Sequence, residues 1–230
     1  MNELLFIGSL VFYFLCVLLL YRFLGVIGLL AWIPIATILA NIEVLKLVPL
    51  FGFTEVTLGN VFYASTFLVT DILSENHGKK EAHKAVLLGF VAITITLVGM
   101  NLAMAFTPSE VDKTQPLLIG LFTVLPRLAL GSLAAYLVSQ AYDVWAYDKI
   151  RGLFPRFLWL RNNGSTLVSQ LLDTSIFCVI AFWGDVPLEV FIQIFISTYV
   201  IKALIAVLDT PVLYLARYWK QKGKIPSISQ

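Results

Sequence analysis

Residues Ala85–Phe106 read AVLLGFVAITITLVGMNLAMAF, a run of apolar and small neutral residues with no ionisable side chain. As a helix rising 1.5 Å per residue it reaches about 33 Å, enough to cross the ~30 Å hydrocarbon core of a bilayer. Working outward, comparable runs occur at about Leu4–Tyr21, Leu24–Leu45, Leu58–Leu73, Leu117–Ala141, Thr166–Trp183 and Leu188–Leu215. The chain therefore reads as all-α, a polytopic transmembrane helical bundle with seven membrane segments. The third run is short and carries Asn60, Ser65, Thr66 and Thr70. A re-entrant third segment would leave six crossings.

Composition agrees. Apolar residues make up 59% of the chain and charged ones 13%, about half the share of a soluble domain. A soluble core of this size cannot hide so much apolar side chain, whereas lipid can. The net charge of +2, with Lys and Arg spread over the segment ends, speaks against nucleic acid as a partner. Cys16 and Cys178 lie inside apolar runs and read as small buried hydrophobes. The first segment lacks a basic start and a small-residue cleavage site, so it reads as a retained span. One membrane domain, 1–216, and a cytoplasmic tail, 217–230, are expected, with the tail unstructured from Gly223 on.

Positive charge orients the bundle. With seven crossings, one side collects Arg22, Lys79, Lys80, Lys84, Lys149, Arg151, Arg156, Arg161, Arg217, Lys220, Lys222 and Lys224, and the other only Lys46 and Lys113. The C-terminus is expected in the cytoplasm and the N-terminus outside. The imbalance is the same if the third segment is re-entrant, because Arg22 and Lys46 then change places.

Ionisable residues inside spans are costly and mark function by default. Arg127, Asp173, Lys202 and Asp209 are four such residues, two of each sign, and Lys202 and Asp209 lie two turns apart on one helix face. They form either two structural ion pairs or a polar cavity for a polar solute. Desolvation offsets much of the attraction in a buried pair, which favours the cavity. Asp71 and Glu75 share a helical face and either end a solvated helix or place Asp71 at the cavity. Gln140, Asp143, Trp145 and Asp148 cluster where the fifth segment leaves the membrane. Trp145 is an interface anchor there, or it stacks on a planar ligand. Gln170 lies near Asp173 on the sixth segment, where Ser165 or Thr166 reads as the N-cap. Pro34, Pro126 and Pro211 fall within spans and free backbone carbonyls or kink the helices. Phosphate loops, zinc-protease helices and nucleophile elbows are missing, so no enzyme, cofactor or metal is expected. The one interfacial cluster that could serve a lipid-modifying enzyme is Asp143–Asp148 with Arg151.

Ala40-Asn41-Ile42 with Lys46, Thr57-Leu58-Gly59-Asn60, and Thr70-Asp71-Ile72-Leu73-Ser74-Glu75 with Gly78-Lys79-Lys80 belong together with the stretches that follow. These are Ser139-Gln140 with Asp143-Val144-Trp145-Ala146, Leu160-Arg161-Asn162-Asn163, Ser165-Thr166-Leu167-Val168-Ser169-Gln170 with Asp173, and Lys202 with Asp209-Thr210-Pro211. The set resembles the queuosine precursor transporters, also called the vitamin uptake transporter family. Some members of that family have six spans. The resemblance implies import of 7-deazaguanine bases or queuine across a bacterial inner membrane; the leading reading is a secondary transporter acting alone or as a homodimer. It also leaves open a substrate-binding subunit of an ATP-driven, energy-coupling-factor-type transporter. The partners are then a small-molecule 7-deazaguanine substrate and membrane lipid. A carboxylate accepts two hydrogen bonds side by side from the amino and ring N–H of a guanine-type edge. Asp173 or Asp71 fits that role, Arg127, Gln140 or Gln170 can donate to the ring oxygen, and Trp145 or Phe177 can floor the ring. Lys202 is expected to pair with Asp173 when the site is empty.

Overall fold

The structure, a computed structural model, describes residues 1–122, 125–184 and 186–226, with only the backbone described at 125, 126, 128 and 129. The ring of Pro126 and the end of the tail, 227–230, thus lie outside the described residues.

Helix α1 (Asn2–Glu43) holds the first two expected segments. A straight helix of 42 residues would reach about 63 Å, twice the hydrocarbon thickness. It folds back instead at Gly25, whose φ of 61° and ψ of −137° are open only to a residue without Cβ. Tyr13 and Trp32, one on each arm, consequently meet with ring centroids 6.3 Å apart. Along the first arm Phe6, Leu10, Phe14, Val17 and Tyr21 are buried at helical spacing, while Leu4, Leu5, Val11, Phe12, Leu15 and Leu19 face outward. Lipid covers such an apolar outer face, and packing and hydrogen bonds rather than the hydrophobic effect then join the helices.

A short antiparallel hairpin, β1 (Leu47–Leu50) and β2 (Phe53–Thr57), follows and had no counterpart among the sequence expectations. It turns at Phe51 and Gly52, both with positive φ. Asn2 Nδ2 donates to the Pro49 carbonyl at 3.1 Å and Phe6 packs edge-on to Phe51, so the start of the chain sits at this end of the bundle.

Helix α2 (Gly59–His77) is the axis of the molecule, buried from Gly59 through Glu75. Its 19 residues reach about 28 Å, so it crosses the full bundle rather than re-entering. It starts beside the second arm, where a Cβ on Gly59 would lie 2.4 Å from the Ala40 carbonyl oxygen. It ends beside Tyr21, whose hydroxyl is 3.0 Å from His77 Nε2. Asp71 and Glu75 therefore lie inside a packed helix, not at a solvated end.

Helices α3 (Lys79–Ala105), α4 (Gln115–Phe122), α5 (Leu125–Leu153), α6 (Leu158–Phe182) and α7 (Leu188–Gln221) complete the bundle. Side-chain contacts give their directions. From α2, Thr66 and Thr70 meet Gln140, Glu75 meets Tyr147, and Arg217 meets Glu75, so α5 and α7 run parallel to α2. Arg161 meets Glu75, Thr166 meets Asp71, and Asp173 meets Tyr63, so α6 runs against it. With the two arms of α1, and α4 and α5 taken as one broken pass, the chain traverses the bundle seven times.

Among the described residues, α1, α3, α6 and α7 are long and apolar enough to cross a membrane by composition. Several helices outrun their apolar windows. Helix α6 begins at Leu158, more than a turn before the expected cap at Ser165 or Thr166, and Phe157 precedes it without a side-chain cap. The polar stretches Asp71–Lys84 and Tyr142–Ser165 are largely helical. The reason is tertiary: Arg161 bonds Glu75, and Asn162 bonds Asp209 and Thr210, so these turns satisfy their polar groups inside the bundle. The tail also departs from expectation as far as Pro226. Arg22 donates to the Lys224 carbonyl, and Ile225 packs on the core.

Candidate functional site

Polar side chains line the interior in layers. The layer nearest the β hairpin centres on Asp173 of α6. Its Oδ1 accepts from the Tyr63 hydroxyl at 2.6 Å and from Ser139 Oγ at 3.1 Å, and its Oδ2 lies 2.5 Å from Lys202 Nζ. Lys202 Nζ also sits 4.7 Å from the Tyr63 ring centroid, a cation–π contact. Asp173, Tyr63 and Lys202 come from α6, α2 and α7, so three helices must pack before this group exists.

A pocket opens above the pair, lined by Asn41, Asn60, Tyr63, Asp173, Phe177 and Lys202 among others. It spans about 350 Å³ with its mouth, but the free interior of about 30 Å³ has room for about two waters. Two of its amide atoms, Asn41 Oδ1 and Asn60 Nδ2, are buried without a hydrogen-bond partner. One is an acceptor and the other a donor, as a polar ligand requires.

The next layer is closed on itself. Gln140 Nε2 donates to Thr66 Oγ1 at 3.0 Å, and Thr70 Oγ1 donates to Gln140 Oε1 at 3.1 Å. Below it lie Asp71, Asp143 and Asp209, bonded by Thr166, Ser169 and Asn162. At the basic end, Arg161 makes a two-pronged bond to Glu75, with Nε to Oε2 at 2.9 Å and Nη2 to Oε1 at 2.5 Å, while Arg217 and Tyr147 also contact Glu75. From Tyr63 to Glu75 the column is about 18 Å long by helical rise.

The structure thus brings Asp173 and Lys202 together and sets Asp71, Gln140 and Asp209 deeper on the same column. Gln170 is fully buried on α6 with both amide atoms unpartnered among the described residues. Arg127 and Trp145 are elsewhere. Arg127 Nε donates to the Ile180 carbonyl at 2.7 Å and Nη2 to the Trp183 carbonyl at 2.6 Å, satisfying the open C-terminal end of α6. The expectation that it joins Asp173 is corrected on that ground: helix-end carbonyls hold it near Ile180, about 10 Å of helical rise from Asp173. Trp145 is 54% exposed on the outside of α5, beneath Lys149 Nζ at 5.7 Å, and floors no pocket; Phe177 is the aromatic that reaches one.

Residues 57–216 match the family described as "Putative vitamin uptake transporter". The chain is also 49% identical over 210 residues, 90% of its own length and 91% of the relative's, to a "Probable queuosine precursor transporter" of Bacillus subtilis (strain 168). The chain belongs to the vitamin uptake transporter family. More distant relatives are the "Queuosine precursor transporter" of Escherichia coli (strain K12), 28% identical over 70% of this chain and 71% of that one, and a "Probable queuosine precursor transporter" of Haemophilus influenzae, 28% identical over 55% and 52%. No solved structure matches the chain significantly. The vitamin uptake transporter match spans all four helices of the polar column but not the arm of α1 that supplies Asn41. Tyr63, Asn60 and the role of Asp143 escaped the reading of the sequence. A signal was present: Tyr63, Thr66, Thr70 and Ser74 recur at helical spacing, as do Asn162, Thr166, Ser169 and Asp173. A polar stripe of that period in a membrane helix points inward.

Proposed function

We propose that this multi-pass membrane protein imports queuosine precursors as a secondary transporter, taking a 7-deazaguanine base into the pocket above Asp173 and Lys202. The observation that carries the reading is a buried carboxylate held by a lysine at the floor of a pocket with unpaired amide groups. The base's amino and ring N–H would bond both oxygens of Asp173, a charge-assisted pair. Lys202 or Asn60 Nδ2 would donate to the ring oxygen, and Tyr63 and Phe177 would flank the rings. With free room for about two waters, the pocket in this form is closed. Entry requires Lys202 to leave Asp173 and the second arm of α1 to yield at Asn41. The column below supplies a polar route through lipid for a solute that lipid excludes.

By the positive-inside rule the Lys- and Arg-rich end lies in the cytoplasm of a bacterial inner membrane, so the pocket faces outward. The test is uptake of labelled deazaguanines by the purified chain alone in liposomes, compared with analogues lacking the exocyclic amine. Accumulation of the parent base and at least about tenfold weaker competition by the analogues supports the reading. Equal competition rules out Asp173 as the reader of that edge. Uptake only with an added ATPase would favour a substrate-binding subunit.

A further inference from the structure

The deeper acids do not line the pocket, yet each is buried with one oxygen unsatisfied. Asp71 on α2, Asp143 on α5 and Asp209 on α7 are each at most 1% exposed. All three bond to one stripe of α6, at Thr166, Ser169 and Asn162, which gathers their carboxyls along the same side of that helix. Neutral donors cover part of each: Thr166 Oγ1 to Asp71 at 3.1 Å, Ser169 Oγ to Asp143 at 2.7 Å and Asn162 Nδ2 to Asp209 at 3.0 Å. One oxygen of each carboxyl, Asp71 Oδ1, Asp143 Oδ2 and Asp209 Oδ2, has no donor, and among the described residues none of the three is in a salt bridge. A further orphan sits beside the group. Asn162 is fully buried, its Nδ2 engages Asp209, and its Oδ1 is an acceptor without a partner.

Ionised carboxylates only accept hydrogen bonds. Bare negative charges gathered in a low-dielectric interior without a cation repel, and a proton on one of them relieves that repulsion. The surrounding groups do not supply the missing positive charge. Arg161 and Arg217 are both engaged with Glu75, Tyr147 is neutral and bonded to Glu75, and Lys202 is engaged with Asp173 on the far side of the Gln140 layer. A metal ion fits less well than a proton, since no group of three acids among the described residues is placed to hold one.

We propose that Asp71, Asp143 and Asp209 form a proton site that loads and unloads one proton per transport cycle, coupling solute import to the proton gradient. Only an O–H bond is made and broken: water on the outer side delivers the proton to a carboxylate oxygen of the three acids, and water on the basic side receives it. The closed Gln140–Thr66–Thr70 layer separates this site from the pocket, so proton and solute occupy distinct places in the same column. The coupling half of the proposal rests on the transporter reading; the proton site itself does not.

Two measurements test it. Infrared difference spectra of the purified protein in lipid nanodiscs, taken between acid and alkaline buffer, should show a protonated-carboxyl C=O band that shifts in D₂O. Asp143→Asn should remove or displace the band, and Asp148→Asn, at an exposed salt bridge, should keep it. No such band in the wild type at any pH overturns the proton site. In liposomes, an inward proton gradient should raise deazaguanine accumulation about tenfold per pH unit for one proton. Asp143→Asn should keep exchange of labelled for unlabelled solute and lose the response to the gradient. Exchange by the wild type with accumulation that ignores pH, or follows sodium instead, overturns the coupling. The band together with no movement of any deazaguanine supports the proton site and tells against the proposed substrate.

Discussion

Asp173 is bonded by a phenol, a hydroxyl and an ammonium at once, and each can be removed separately. Lys202→Ala leaves a buried carboxylate uncompensated, which typically costs about 3–5 kcal/mol. We expect lost uptake and a lowered unfolding temperature in detergent; the double variant with Asp173→Asn should partly recover the unfolding temperature but not uptake. Tyr63→Phe removes one bond to a charged group, worth about 1.5–3 kcal/mol. It should weaken solute binding, read by isothermal titration, while the protein still inserts. Arg161→Lys is not conservative here. The fork that meets both oxygens of Glu75 becomes a point charge, so one of the two buried bonds from this residue to Glu75 is lost. A drop in unfolding temperature larger than that of Lys149→Ala on the exposed face is the expected result.

At the scale of the element, α1 carries the sharpest requirement. Its fold-back at Gly25 uses a backbone conformation that costs other residues about 1–3 kcal/mol. The Pro226 carbonyl oxygen also lies 2.8 Å from where a Cβ would be. Gly25→Ala should therefore lower stability, and Gly8→Ala, in open space on the same helix, should not; thermal unfolding of both variants checks this. Helix α2 shows the opposite economy. Too polar to register as a span by composition, it is a span because its polar stripe is enclosed by α5, α6 and α7. Its hydroxyls return many of their bonds to its own backbone, as in Ser65 to Phe62 and Thr70 to Phe67.

At the scale of the whole molecule, all the helices of the column turn polar faces inward and apolar faces to lipid, the reverse of a soluble bundle. The two ends differ in charge, and that difference predicts orientation. Cysteines placed at Gly52 on the hairpin and at Gln221 at the end of α7 should behave oppositely toward a membrane-impermeant thiol reagent on intact cells. With the native Cys16 and Cys178 replaced, Gly52→Cys should label and Gln221→Cys should not until the cells are opened. The opposite pattern inverts the topology and turns the pocket inward.

Long uncharged runs such as Ala85–Phe106 determined membrane class, because hydrocarbon accepts a backbone only when its hydrogen bonds are closed within the segment. The rarity of charge inside those runs also singled out Asp173, Lys202 and Asp209. What charge content could not carry is which charges meet. Arg127 and Asp173 are equally conspicuous in the sequence, yet one caps a helix end and the other anchors a pocket. Asp143, read as an interface residue, proved to be buried and bonded by Ser169. Partnership depends on the rotation and depth of each helix against its neighbours, and these are decided by packing between residues more than a hundred positions apart, as Tyr63 and Asp173 are.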